Sequence, residues 1–364
     1  MRTLALFTPY ELIAGGGTRY ILGIAEAFRD VYEVYLVTPS AMPVAAMAEV
    51  ARNLDVRADH VIPLSWEDAH ARALARPFSY AVAFGNEPLP QVPGLADRNF
   101  FVCQFPFPMQ PDDLAIRLIY LSHCESIVVY SEYAERHLRA RLAELSAPGK
   151  PIRIIHPAAD PISPEREVQR EDKSILSVGR FFDVGGKCQD ELIRAFRELD
   201  GPGWSLHLAG AIYEGPTRYA MYDKCLRLAE GLPVRFYPNA SRAEIGRLYA
   251  QSTCYWHGAG LGADPATEPE KFEHFGITVV EAMAAGCLPI VLAQGGPTEI
   301  VSSGNNGWTF RTPAELVELT SRLPTLPGSQ LEEMRARSRA RSAAFTTAVF
   351  QEKWRTLLSD SAIA

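Results

Sequence analysis

The sequence predicts an α/β protein made of two doubly wound halves, each a parallel sheet with helices on both faces. Three observations carry this. The chain has 364 residues, enough for two domains of about 150–200 residues each. Short apolar runs alternate with amphipathic stretches from the start, the pattern of strands joined by crossover helices. That pattern breaks once, at a polar, proline-rich stretch, and then restarts.

In the first half, residues 3–8, 33–38, 80–84, 99–104 and 126–129 are apolar runs of strand length. They read as strands covered on both faces. Residues 18–29, 112–122 and 131–144 read as the helices among them, and 152–155 as a further strand. His156-Pro157 follows, leading into PAADPISPEREVQREDK, which ends at Lys173. Proline stiffens this stretch and its charges favour water, so it reads as an interdomain linker. The second half then gives strands at 174–178, 205–209, 234–237, 254–256 and 288–292. Its helices are expected at 189–199, 216–230, 241–251 and 278–285. After Asn306 the chain reads as helical, and residues 346–358 are amphipathic. The expected division is therefore a domain at 1–157, a linker at 158–173, a second domain at 174–345, and a C-terminal helix at 346–364 able to pack back on the first domain. Two such halves in sequence would set two strand-end faces around a cleft, and ligands of these sheets sit beyond the carboxyl ends of the strands.

Composition narrows the function. With 47% hydrophobic and 22% charged residues, the chain has the make-up of a folded enzyme rather than a disordered segment. Lys plus Arg number 36 against 43 Asp plus Glu, a net charge of −7, which speaks against sequence-independent nucleic-acid binding. The six cysteines form no C-x-x-C pair and lie mostly in apolar segments, so they read as reduced core thiols of a cytoplasmic protein. The apolar start is broken by Pro9 and Glu11 and reads as a strand, not a signal peptide. No run of about 18 apolar residues is present, so no membrane span is expected; peripheral membrane attachment stays open, as does the oligomeric state.

Four motifs could carry chemistry. Gly15-Gly16-Gly17 stands between the first strand and first helix, where amides can approach an anion. Its spacing is not G-x-G-x-x-G, and an unliganded loop is the other reading. In SVGRFFDVGGK, Arg180 and Lys187 follow the first strand of the second half. Two cations there suit a diphosphate leaving group; otherwise they are solvated surface charges. In EKFEHFGITVVEAMAAG, Glu273 and Glu281 stand eight residues apart, the first on a loop and the second in an apolar helix. The amides of His274, Phe275, Gly276 and Ile277 would face a ligand at that helix start. A carboxylate at Glu281 can take both hydroxyls of a ribose; otherwise Glu273 caps the helix and Glu281 is solvated. Finally, GGPTEIV offers either amides to an anion or a tight turn with Pro297 at the first helical position.

Together GRFFDVGGK, EHFGITVVEAMAAGCLPIV and GGPTEIV resemble the retaining GT-B glycosyltransferases with an E-x7-E motif, the group 1 or family 4-like enzymes. The EHFGI form is similar to that of α-mannosyltransferases acting on lipid-linked oligosaccharides. The resemblance is strong over 174–307 and fainter before it. It implies a GT-B fold, two Rossmann-like domains with parallel sheets facing a cleft, the first taking the acceptor and the second the nucleotide-sugar donor. It implies transfer of a hexose from a UDP- or GDP-sugar to an acceptor hydroxyl with retention, in carbohydrate biosynthesis. Arg180 and Lys187 would hold the diphosphate, Glu281 the ribose, and Glu273 with the amides of His274 to Ile277 the donor sugar. Gly16 and Gly17 would also touch the donor. Gln104, where many relatives carry a histidine, Asn86 and His257 are candidate acceptor or sugar contacts, with Asp264 beside His257 in a long loop that also reads as a plain surface turn. No metal and no cofactor are implied. A sugar-nucleotide epimerase, a phosphorylase and a silent sugar-nucleotide binder are the rival readings.

Overall fold

The computed structural model describes residues 2–13, 15–109, 113–164, 166–182, 186–199, 201–212 and 220–360. The chain divides into two compact units, Met1–Ala158 with Thr347–Ala364, and Ala159–Thr346.

The first unit runs β1 (Arg2–Phe7), α1 (Gly16–Ala27), β2 (Tyr32–Thr38), α2 (Val44–Asn53), β3 (Val61–Ser65), α3 (Trp66–Ala75), β4 (Phe78–Gly85), β5 (Ala96–Cys103), α4 (Leu114–Ser122), β6 (Cys124–Val129), α5 (Glu132–Glu144) and β7 (Ile152–Ile154). Its strands form one parallel sheet in the order β3-β2-β1-β4-β5-β6-β7. The order reverses between β1 and β4, the switch point at which such sheets bind ligands. β4 and β5 are joined without a helix, by a bent connection that carries Pro88, Pro90 and Pro93. Buried Arg117 staples it, through Glu87 at 2.5 Å and the carbonyls of Leu89 and Pro90.

The second unit runs β8 (Ser174–Val178), α6 (Gln189–Arg197), β9 (Ser205–Gly210), α7 (Ala220–Leu228), β10 (Val234–Pro238), α8 (Arg242–Gln251), β11 (Cys254–His257), α9 (Ile277–Ala284), β12 (Leu288–Leu292), α10 (Pro297–Ile300), β13 (Trp308–Phe310), α11 (Pro313–Arg322) and α12 (Gly328–Ser342). Its parallel sheet has the order β10-β9-β8-β11-β12-β13, with the switch point between β8 and β11. β8 and β12 are buried at every position, as strands with helices on both faces must be. Ser241 and Thr312 accept hydrogen bonds from the amides of Glu244 and Glu315, the S/T-x-x-E signal that starts α8 and α11. The last helix, α13 (Thr347–Asp360), belongs to the first unit. Its Phe350 and Trp354 meet Tyr20 of α1 edge to face.

Several expectations need correction. The sequence reading placed no element between the second and third of its strands, where the structure has α2, β3 and α3. The region after Asn306 is not all helical, since it contributes β13. Gly16 and Gly17 are the first residues of α1 rather than part of the loop before it. The stretch expected as a linker falls, from Ala159, in the second unit, with Arg166, Glu167, Glu171 and Asp172 exposed as expected and two side chains turned inward. Ile162 is 8% exposed, and the Arg170 guanidinium reaches the carbonyls of Ser252 and Ala285. The starts of the helices expected at 112 and 216 lie outside the described residues, as do Asp183 to Gly185 of the GRFFDVGGK motif. All six cysteines are free, and all but Cys188 are buried. Burial pushes the Cys124 and Cys287 thiols up to about 12. Among the described residues no helix is long and apolar enough to cross a membrane.

Candidate functional site

In the second unit the switch point sets two strand ends side by side. β8 ends at Val178 and β11 at His257. Alternate residues of β11 share a face. Tyr255 and His257 project toward the segment that starts α9, while Trp256 on the other face donates to Thr320 Oγ1 at 3.0 Å. The Tyr255 hydroxyl donates to the Val178 carbonyl at 3.1 Å and lies 2.8 Å from the Thr278 hydroxyl. One side chain thus ties β8, β11 and α9 together at their ligand-side ends.

Glu273 sits just before α9, its side chain 17% exposed. Lys187 Nζ donates to its Oε2, and His257 Nε2 lies 3.0 Å from the same oxygen. Burial alone would raise this carboxyl, but the charge of Lys187 and the His257 hydrogen bond outweigh it and hold the group well below the usual carboxylate range. Glu273 is therefore an anion at neutral pH. No hydrogen bond from the described residues reaches its Oε1.

Its backbone is held as firmly. The Gly296 amide donates to the Glu273 carbonyl at 2.8 Å. A Cβ on Gly295, at φ 78°, would lie 2.5 Å from that same oxygen, so GGPTEIV needs glycines because two backbones touch. The Gly296 amide is therefore spent on protein rather than offered to an anion. Pro297 does open α10 at its first turn.

Gly276, at φ 110°, turns the chain into α9, whose first amides lack acceptors within the helix. Phe275 is buried and its ring meets Phe345, whereas His274 Nε2 lies 3.2 Å from the Glu270 carbonyl. Glu281 is 6% exposed. The Tyr249 hydroxyl donates to its Oε2 at 3.2 Å, and Arg242 approaches Oε1 at 4.0 Å. Neither glutamate is the helix cap or solvated acid of the alternative reading. Sequence reasoning did not find Tyr249 or Arg242. The only signal was their place on α8, whose packing partner no local pattern reveals.

Arg180 lies two residues beyond β8, exposed and without an ion pair among the described residues. Its carbonyl and that of Gly179 both accept from Gln189 Nε2 at 3.0 Å. The structure thus brings Lys187, His257 and Glu273 into contact, with Arg180 at the same strand end. Asp264 is different: exposed, it accepts from the Ala266 amide at 2.9 Å and lies 3.0 Å from Thr267 Oγ1, the surface-turn reading of that loop.

In the first unit, a Cβ on Gly17 would meet Gln104 Oε1 at 2.8 Å. The Gln104 amide bonds the Gly85 carbonyl at 2.9 Å. Asn86, next in line, donates its amide to the Tyr10 hydroxyl at 3.1 Å and accepts from Phe107 at 2.9 Å. Gly17, Gln104 and Asn86 therefore gather at the carboxyl ends of β4 and β5 and the start of α1, where this sheet's own switch point lies.

Known proteins share this architecture. A structure of Anabaena HepE, solved in complex with UDP and glucose, superposes with a TM-score of 0.71 at 14% identity, covering 98% of this chain and 99% of that one. A glycosyltransferase from Rickettsia africae gives 0.73 at 13% identity, covering 99% and 98%. With its two parallel sheets, the chain has the GT-B fold. An uncharacterized glycosyltransferase of Methanocaldococcus jannaschii is 32% identical over 145 residues, 39% of this chain and 33% of that protein, so the match spans only a third of the relative's length. The model of the family described as "Glycosyl transferases group 1" matches residues 160–341, the span that holds both glutamates, Lys187 and His257, and the chain belongs to that family.

Proposed function

We propose that this protein is a retaining glycosyltransferase that moves a hexose from a UDP- or GDP-sugar to an acceptor hydroxyl, without a metal. The observation that carries the reading is an ionised, largely buried Glu273 held by Lys187 and His257 at a sheet switch point, with buried Glu281 in the second turn of α9. The family match and the HepE complex with UDP and glucose support a nucleotide-sugar donor.

In this mechanism Lys187 and Arg180 hold the donor diphosphate and neutralise the charge it gains as the sugar–oxygen bond breaks. Glu281 takes the ribose diol, and the α9 N-terminus adds amide donors. Glu273 offers Oε1 to sugar hydroxyls. It is a positioning group and not the nucleophile. The acceptor hydroxyl attacks from the face the leaving phosphate vacates, and a phosphate oxygen takes its proton, which keeps the anomeric configuration. Gln104, Asn86 and the first turn of α1 serve the acceptor or sugar; an amide at Gln104 can hydrogen-bond a hydroxyl but cannot titrate.

A thermal-shift panel of UDP, GDP, ADP and TDP tests the donor assignment, because a ligand that binds only the folded chain raises its melting temperature. A clear shift with UDP or GDP is expected. No shift with any of the four at millimolar concentration overturns the reading.

A further inference from the structure

Two histidines of the second unit are fully inside it, and they are wired differently. His207 on β9 satisfies both ring nitrogens, through Ser205 Oγ at 3.1 Å and the Tyr237 hydroxyl at 3.0 Å. That is the wiring of a histidine that serves the fold. His257, with 3% of its side chain exposed, makes one hydrogen bond among the described residues: Nε2 faces Glu273, and Nδ1 is buried with none. A buried nitrogen left unsatisfied is costly and calls for a reason. The contact made by the other nitrogen supplies one.

Lys187 and His257 converge on one oxygen of Glu273. If Lys187 turns to a donor phosphate, as the proposed function requires, Glu273 keeps its charge inside the protein with a single remaining partner. We infer that His257 is a positioning residue that holds Glu273 through Oε2, so that Oε1 stays aimed at the donor sugar when Lys187 is engaged by the diphosphate. This rests on the donor reading given above. It adds that specificity for the sugar, as distinct from the nucleotide, depends on a side chain that need not touch the sugar.

The test is calorimetric binding of UDP, GDP, UDP-glucose and GDP-mannose to the full chain. His257→Leu removes the donor while filling the space. It is expected to weaken the nucleotide sugar by about tenfold or more, the size of one lost hydrogen bond to a charged group, and to leave the nucleoside diphosphate within about threefold. His257→Gln, whose amide can reach the same oxygen, recovers most of the loss. On a Glu273→Gln background, His257→Leu adds less than about threefold, because residues acting through one contact are not additive. Should the leucine variant fail to fold, judged by its circular-dichroism spectrum, His257→Asn, which retracts the donor, replaces it with the same expectation. Parallel losses for nucleotide and nucleotide sugar, or no rescue by Gln, would overturn the inference and mark His257 as a packing residue. If the wild type binds none of the four compounds, the donor reading falls and takes this inference with it. If the wild type binds a nucleotide sugar and His257→Leu binds it equally well, only the inference falls.

Discussion

Lys187→Ala separates the two jobs assigned to one ammonium. On the ligand side it removes a charge-assisted hydrogen bond worth about 1.5–3 kcal/mol, so the dissociation constant for UDP or GDP should rise by about 10–100-fold. On the protein side it strips Glu273 of its cation. Both side chains are less than a third exposed, 28% and 17%, so solvent screens the pair only in part. Removing one partner of a fully buried pair costs about 3–5 kcal/mol, but His257 stays on Oε2, and a loss of about 1–2 kcal/mol at neutral pH is expected. The sign with pH follows from the lowered carboxyl. Its pairing stabilises the fold above the ordinary value of 4.5 and is lost as pH falls through the lower folded value. The stability gap between wild type and variant should therefore be full at pH 7 and shrink in acid. Titration calorimetry with both diphosphates and urea denaturation at pH 7 and pH 4 measure the two sides. Lys187→Arg should recover only part of the affinity, since a planar fork does not replace a point charge. Unchanged diphosphate affinity in Lys187→Ala would refute the donor-site assignment. A stability gap that grows in acid would refute the ion-pair account.

Glu281→Ala should raise the diphosphate dissociation constant by about tenfold with the circular-dichroism spectrum intact; equal affinity in calorimetry removes Glu281 from the site. Gly295→Ala should cost about 1–3 kcal/mol, from the positive φ and the collision with the Glu273 carbonyl, and should weaken nucleotide-sugar binding as well; a stable variant with normal binding contradicts the backbone buttress. Transfer should survive EDTA, because Lys187 and Arg180 supply the charge; full loss restored by Mg²⁺ or Mn²⁺ sinks that mechanism. Burial, with Arg235 and Arg247 nearby, pushes His207 down to about 4. Between about pH 6.5 and 4 the unfolded chain binds a proton the folded one does not, so stability should fall across that window, and His207→Gln should flatten the fall in pH-dependent urea melts.

What the sequence made legible, and what it did not, divides along a physical line. Buried parallel strands such as β8 and β12 are continuous apolar runs and stand out. Val61–Ser65 does not: it carries Pro63, and it lies at the edge of its sheet, where only one neighbour covers it. The three residues of β13 are too few to show a period. At the site, Glu273 and Glu281 were readable because eight residues of spacing and an apolar helix are local facts. Their partners are not local. Lys187 reaches Glu273 across 86 residues of chain, and Tyr249 reaches Glu281 across 32. The GG pair was legible as a turn but not as a buttress, because the carbonyl it presses on lies in another loop. Within 158–173 the exposed charges of Arg166, Glu167, Glu171 and Asp172 were legible, but the inward turn of Arg170 was not, because the carbonyls it finds are distant in sequence.

The order in which the chain leaves the ribosome gives the two units different fates. The second is one unbroken stretch whose ends are tied by the Ala159 amide and the Phe345 carbonyl at 2.8 Å. It can close as soon as Phe345 has emerged. The first unit, begun earlier, is finished later: Tyr20 and Gly23 of α1 wait for Phe350 and Trp354 of α13, which are 2% and 0% exposed once docked. Burial of side chains this large contributes about 1.5–3 kcal/mol each, so the nascent first unit carries an uncovered apolar seam through the whole synthesis of the second. A ribosome that stalls before Thr347 would release a chain with a finished second unit and an unfinished, aggregation-prone first one.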